Sequence, residues 1–217
     1  MIKLNNKLKI YLVICFILII FYSFLFKFNI VVNASTNTIN WNEIKKETEK
    51  KLKKEPENTI ENFKLAISLA NLGQIKESYK IINNLEKNVS VQEFNEKIDL
   101  HIKKIEQKKN NKNEILILNY NAFRAIILKN YKPAIQKLNK LCKLEPQNIW
   151  LKNYIAASHI ELGQLTKAEK LLKNILEIKE NNFSHLLYGV IYYKRGQYIN
   201  AIKHLHESGD LFKMIIN

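Results

Sequence analysis

Residues 149–212 read IWLKNYIAASHIELGQLTKAEKLLKNILEIKENNFSHLLYGVIYYKRGQYINAIKHLHESGDLF, and the spacing of small residues in this stretch decides the fold. Ala156 and Gly189 are separated by 33 residues, as are Ala168 and Ala201. Leu165 and Tyr198 keep the same interval. One period upstream, at a spacing of 34, stand Ala122, Ala134 and Tyr131. Ala66, Ser78 and Ile75 lie 56 residues before those three, which is one period plus a single insertion of 22. Several registers that agree on one period define a repeat architecture, in which each unit buries its apolar face only against its neighbours.

Each unit reads as two helices joined by a tight turn. The turns are Leu72-Gly73-Gln74, Leu162-Gly163-Gln164 and Arg195-Gly196-Gln197, with glycine where a helix ends in a left-handed residue. Lys129-Asn130 holds the corresponding place in the unit that ends at Pro146, and asparagine is expected to stand in for the glycine there. Small residues sit mid-way along the first helices (Ala66, Ala122, Ala156, Gly189) and near the start of the second (Ser78, Ala134, Ala168, Ala201). They let the paired helices approach closely, while Leu69, Ile82, Leu138, Leu172 and Leu205 fill the seam. Pro56 and Pro146 stop helices, and Pro133 falls in a first turn where its missing N–H is not needed.

With this period, these small-residue positions, and Glu145-Pro146 followed by Asn148, the chain resembles the tetratricopeptide-repeat proteins. The resemblance implies an all-α solenoid of helical hairpins wound into a right-handed superhelix. Units fall at 59–92 and, contiguously, within 115–217, at 115–148, 149–181 and 182–212. A linker and capping helix occupy 35–58, and an extra helix and linker occupy 93–114, with Phe94, Ile98 and Ile105 on one face. A lone helix in a stack of pairs reverses the direction of the later units, so the first unit either docks at an angle or is crossed by its linkers. The apolar stub Leu211–Ile216 is expected to fold over the final pair or to meet a partner.

The resemblance also implies a function: such proteins bind protein segments in the groove lined by their first helices, and few are catalytic. Outward positions of these helices supply Phe63, Ile67, Tyr120, Phe123, Trp150, Asn153, Tyr154, Ala157, Leu187 and Lys194. Aromatic anchors dominate interface energetics, so this face is expected to take a protein or peptide partner. Phe63, Ile67 and Tyr154 stand where a carboxylate clamp needs polar groups, which argues against a C-terminal carboxylate as the ligand.

Other chemistries find little footing. Five glycines allow neither GxGxxG nor GxxxxGK[ST], so no phosphate cradle and no cofactor is implied. His204 and His206 diverge on a helix, no HExxH occurs, and Cys142 has no CxxC neighbour or nearby histidine. No metal site and no catalytic residue are therefore expected. The chain is basic, at +15. Lys76, Lys80, Lys137, Lys140, Lys143, Lys167, Lys170, Lys173 and Lys203 form an outer stripe, read as a solvated face or as a surface for anionic lipid or polymer.

Residues 10–26 form an uncharged apolar run, preceded by Lys3, Lys7 and Lys9 and bounded by Lys27. Residues 1–34 are thus expected to be a signal-anchor or a signal peptide. If uncleaved, residues 10–32 would make a single-pass membrane helix with a cytoplasmic N-terminus and the repeats on the far side. Cleavage after Ala34 would release the repeats instead. Export in either form leaves no role for nucleic acid.

Overall fold

A computed structural model describes residues 39–213, except 109. Ten α-helices run through the described residues: α1 (Trp41–Leu52), α2 (Thr59–Asn71), α3 (Ile75–Asn88), α4 (Val91–Glu106), α5 (Asn111–Ile127), α6 (Tyr131–Leu144), α7 (Ile149–Glu161), α8 (Leu165–Ile178), α9 (Asn182–Lys194) and α10 (Tyr198–Glu207). A short 3₁₀ turn, Gly209–Phe212, ends the series. The fold among these residues is an all-α, tetratricopeptide-like stack of paired helices: α2 with α3, α5 with α6, α7 with α8, and α9 with α10.

Local sequence accounts for how the helices start and stop. The first helix of every pair is capped by an asparagine: Asn58, Asn110, Asn148 and Asn181 each accept a backbone N–H from the first turn. Each such cap is worth about 1 kcal/mol. Every first helix ends with paired reverse hydrogen bonds, for example Gln74 N–H to Leu69 O and Gly73 N–H to Ala70 O. The left-handed residue is Gly73, Gly163 or Gly196 in three pairs. In the fourth it is Lys129, at φ +57°, and not Asn130. The turn is kept despite the side chain because the same pair of reverse hydrogen bonds, Asn130 to Ala125 and Lys129 to Ile126, forms there too.

The first hairpin docks in a way the repeat period does not dictate. Helix α2 packs on α5 and α7 as well as on α3, and α4 bridges α2 and α5. Phe94, Ile98 and Ile102 of α4 are buried in the same core as Phe63, Ile67 and Tyr120. Ile75, at the start of α3, joins the second core with Ile149, Ile160 and Phe183. The single extra helix thus lets the first hairpin lie across the first helices of later units. At the C-terminal end, the 3₁₀ turn packs on α9 and α10, with Leu211 half-buried against the second core.

One part of the expected fold is corrected. Among the described residues no helix is long and apolar enough to cross a membrane. The longest, α5, has 17 residues, about 25 Å at 1.5 Å each against a hydrocarbon core of about 30 Å. It also carries Lys112, Glu114 and Arg124. Residues 10–32, on which the membrane helix was expected, lie outside the described residues. The single-pass, membrane-held or exported topology thus has no support among the described residues, which form a stack of helices.

Candidate functional site

The ten residues expected to line a partner groove lie largely inside the molecule, divided between its two cores. Phe63, Ile67, Tyr120, Phe123, Asn153 and Leu187 are buried. Trp150, Tyr154 and Ala157 are half-buried, and Lys194 is exposed. Phe63 meets Phe94 edge-on at 5.0 Å and Tyr120 at 5.6 Å. Phe123, Tyr154 and Phe183 continue as a second series, with centroids 4.9 and 5.4 Å apart. Such pairs add about 0.5–1.5 kcal/mol each beyond their burial. Burial holds the Tyr120 hydroxyl well above the usual tyrosine range, and that oxygen has no hydrogen-bond partner among the described residues.

The first hairpin fills the inner face. Gly73 sits against the Trp150 ring, closely enough that a Cβ there would overlap it. Beside it, a largely buried amide chain ties α2, α5 and the cap of α7. Asn148 donates to Asn71 at 2.8 Å, Asn71 donates to Asn119 at 2.9 Å, and Asn119 donates to Ile115 O at 2.9 Å. Trp41 Nε1 donates to buried Glu145 at 3.1 Å, which anchors the start of α1 at the end of α6. Burial raises the Glu145 carboxyl above its ordinary value, and the Trp41 hydrogen bond opposes the shift. An open cleft of about 420 Å³ remains beside Trp150, lined by Gln74, Phe183, Asp210 and Leu211.

The open apolar surface is elsewhere, at the last hairpin. Tyr193, Tyr198, Ile199 and Ile202 are 64%, 60%, 87% and 68% exposed, and the two tyrosine rings meet edge-on at 5.8 Å. Ile202 occupies the repeat position of Ile135 and Glu169. Ile135 packs against the first core, and Glu169 accepts from Arg195 of the next unit at 2.8 Å. In the two middle units this position is thus packed or ion-paired, whereas Tyr79 in the first unit and Ile202 in the last described unit face outward. Of the lysine stripe, Lys80, Lys140, Lys143, Lys167, Lys170, Lys173 and Lys203 are exposed, whereas Lys76 turns inward to Asp210 at 4.0 Å.

A second constellation was not legible from motif spacing. His185 at the start of α9 meets His204 and Glu207 at the end of α10, and their donor atoms lie within 4.8 Å of one another. Spacing within one helix hides this set, because the partners sit on opposite arms of a hairpin. Symmetry about the turn is the available clue: His185 and Glu207 stand equally far from Gly196. His204 is held below the ordinary histidine range by burial, with His185 and Lys203 acting in the same sense and Glu207 against.

No family model matches the chain. The chain is 26% identical over 115 residues to the TPR repeat-containing protein MJ1428 of Methanocaldococcus jannaschii. The match covers 53% of this chain and 20% of that protein, so the chain spans about a fifth of the length of the curated relative it matches. Similar solved structures include MamA MSR-1 C2, at TM-score 0.40 and 14% identity over 85% of this chain and 92% of that one. Another is MamA RS-1 ArsTM double mutant, at TM-score 0.40 and 14% identity over 80% and 86%. The relationship to tetratricopeptide-repeat proteins is a distant one, at low identity. An all-helical, tetratricopeptide-like fold is consistent with a non-enzymatic scaffold.

Proposed function

We propose that the protein is a non-catalytic interaction scaffold that takes an amphipathic helix of a partner protein on the open face of its last hairpin. The observation that carries this reading is the exposure of Ile202, Tyr193 and Tyr198, with Ile199 beside them, at repeat positions where Ile135, Ile160 and Ile75 of earlier units are packed. A helix seated there continues the stack and buries the same kind of surface that joins one unit to the next. Burying a side chain of this size is worth roughly 1.5–3 kcal/mol, so a few anchors suffice for stable docking once ordering costs are met. Lys194, exposed at the end of α9, supplies a charged rim. Trp150, half-buried at the cleft, is the other member of the expected partner face that a ligand can reach there. Of the six buried members, Phe63, Ile67, Tyr120 and Phe123 pack in the core that holds the first hairpin.

Site-specific photo-crosslinking tests the reading. A crosslinker at position 199 or 202 should trap one protein partner far more often than a crosslinker at Lys140, and Ile202→Asp should abolish the product with helix content unchanged. Equal yields from all three positions would overturn it. A product consisting of two copies of this chain would also overturn it, and would assign the face to self-association.

A further inference from the structure

The His185, His204 and Glu207 cluster brings three possible ligand atoms onto one small triangle. Nδ1 of His185, Nδ1 of His204 and Oε2 of Glu207 stand 3.0 Å apart in all three pairings. The carboxylate of Glu180 accepts from Nε2 of His185. With His185 neutral, that bond places its ring proton on Nε2 and leaves a lone pair on Nδ1 beside the other two atoms. The Glu207 carboxylate contributes only acceptors. One proton, on Nδ1 of His204, then serves three inward-facing atoms. His185 Nδ1 and Glu207 Oε2 are left as two acceptors in contact.

A cation at the centre removes the conflict. Ligand bonds of about 2.1 Å set at right angles place neighbouring donors about 3.0 Å apart, which is the edge of this triangle; tetrahedral angles would need about 3.4 Å. We propose that His185, His204 and Glu207 form one face of an octahedral site for a divalent late first-row transition ion of the zinc, nickel or cobalt type. Two imidazoles select such ions over magnesium and calcium, which take all-oxygen sets. Glu180 is the outer carboxylate that orients the His185 ring. Tyr188 and Tyr192 stack on His204 at 4.9 and 5.4 Å and fix the second ring. The Glu207 side chain is 35% exposed against 12% for His185, so the remaining coordination positions open toward solvent on the glutamate side. The ion would tie the start of α9 to the end of α10, clamping the last hairpin among the described residues. This inference does not depend on the partner proposed above.

The test is calorimetric titration of the full 217-residue chain with Ni²⁺ and Zn²⁺, together with Co²⁺ absorption in the visible. One ion per chain is expected, with a cobalt band of the kind imidazole and carboxylate ligands produce and a raised melting temperature in Ni²⁺. Glu207→Gln keeps the shape of the exposed ligand and should weaken binding about tenfold or more; Glu180→Gln should weaken it about tenfold through the ring it orients. His206→Asn, on the same helix but outside the cluster, should leave the affinity within about twofold. The proposal is overturned if no ion binds at millimolar concentration. It is also overturned if Glu207→Gln, shown by circular dichroism to be folded, binds as the parent does, or if His206→Asn is the variant that loses binding.

Discussion

Replacing Gly73 with alanine should destabilise the fold far more than replacing Gly163 with alanine, although both turns have the same backbone geometry. Gly73 has φ +77° and Gly163 has φ +71°, so each substitution carries the left-handed penalty of roughly 1–2 kcal/mol. Only at Gly73 does the new methyl collide with anything: it overlaps the Trp150 ring, whereas nothing lies within 4 Å of a Cβ at Gly163. Overpacking of this kind adds about 1–3 kcal/mol. The expected loss is therefore roughly 2–5 kcal/mol for Gly73→Ala, against roughly 1–2 for Gly163→Ala. Urea unfolding monitored by circular dichroism measures both. A double-mutant cycle with Trp150→Ala should show coupling of about 1 kcal/mol or more, because removing the ring makes room for the methyl. Equal losses at the two glycines, or a cycle that closes to zero, would refute the docking of the first hairpin on α7.

Three other perturbations probe the same contacts. Lys129→Gly should raise the thermal midpoint, by up to about 1 kcal/mol in stability, because it relieves a non-glycine residue at φ +57°; a lowered midpoint would mean the turn is unstrained. Asn71→Ala should cost about 1–3 kcal/mol beyond the lost side chain in chemical denaturation, because it strands the buried Asn119 oxygen that accepts from it, and a loss below about 0.5 kcal/mol would be incompatible with the amide chain. For Glu145, burial raises the native carboxyl above 4.5, so the native state binds this proton more tightly than the unfolded chain does. Its contribution is favourable at acid pH and is lost as pH rises from about 4.5 through the raised value. The parent should thus lose stability relative to Glu145→Gln across that window, and parallel pH profiles would contradict the burial.

How much of the site was legible differs by residue. Tyr120, Tyr154 and Leu187 were recognisable as one set from their shared register, since a repeat puts equivalent residues on one face. Whether that face is open or filled depends on the direction in which the first hairpin returns, which α4 and the contacts of Asn71 and Gly73 with units far along the chain decide. His185 was hidden for a similar reason: spacing arguments run along one helix, and its partners are on the other arm of the hairpin.

From the amino-acid order alone came everything set within a few residues or one repeat: the helical hairpins, the glycine turns, and the small residues that let each pair close. These depend on backbone geometry and side-chain size, which neighbouring residues control. Tertiary structure alone decided that the first hairpin occupies the inner face, that Lys129 bears the turn's strain, that the final seam is left exposed, and that two histidines and a glutamate converge. Those outcomes rest on contacts between residues distant in the chain, whose energies depend on how whole helices pack rather than on any local pattern.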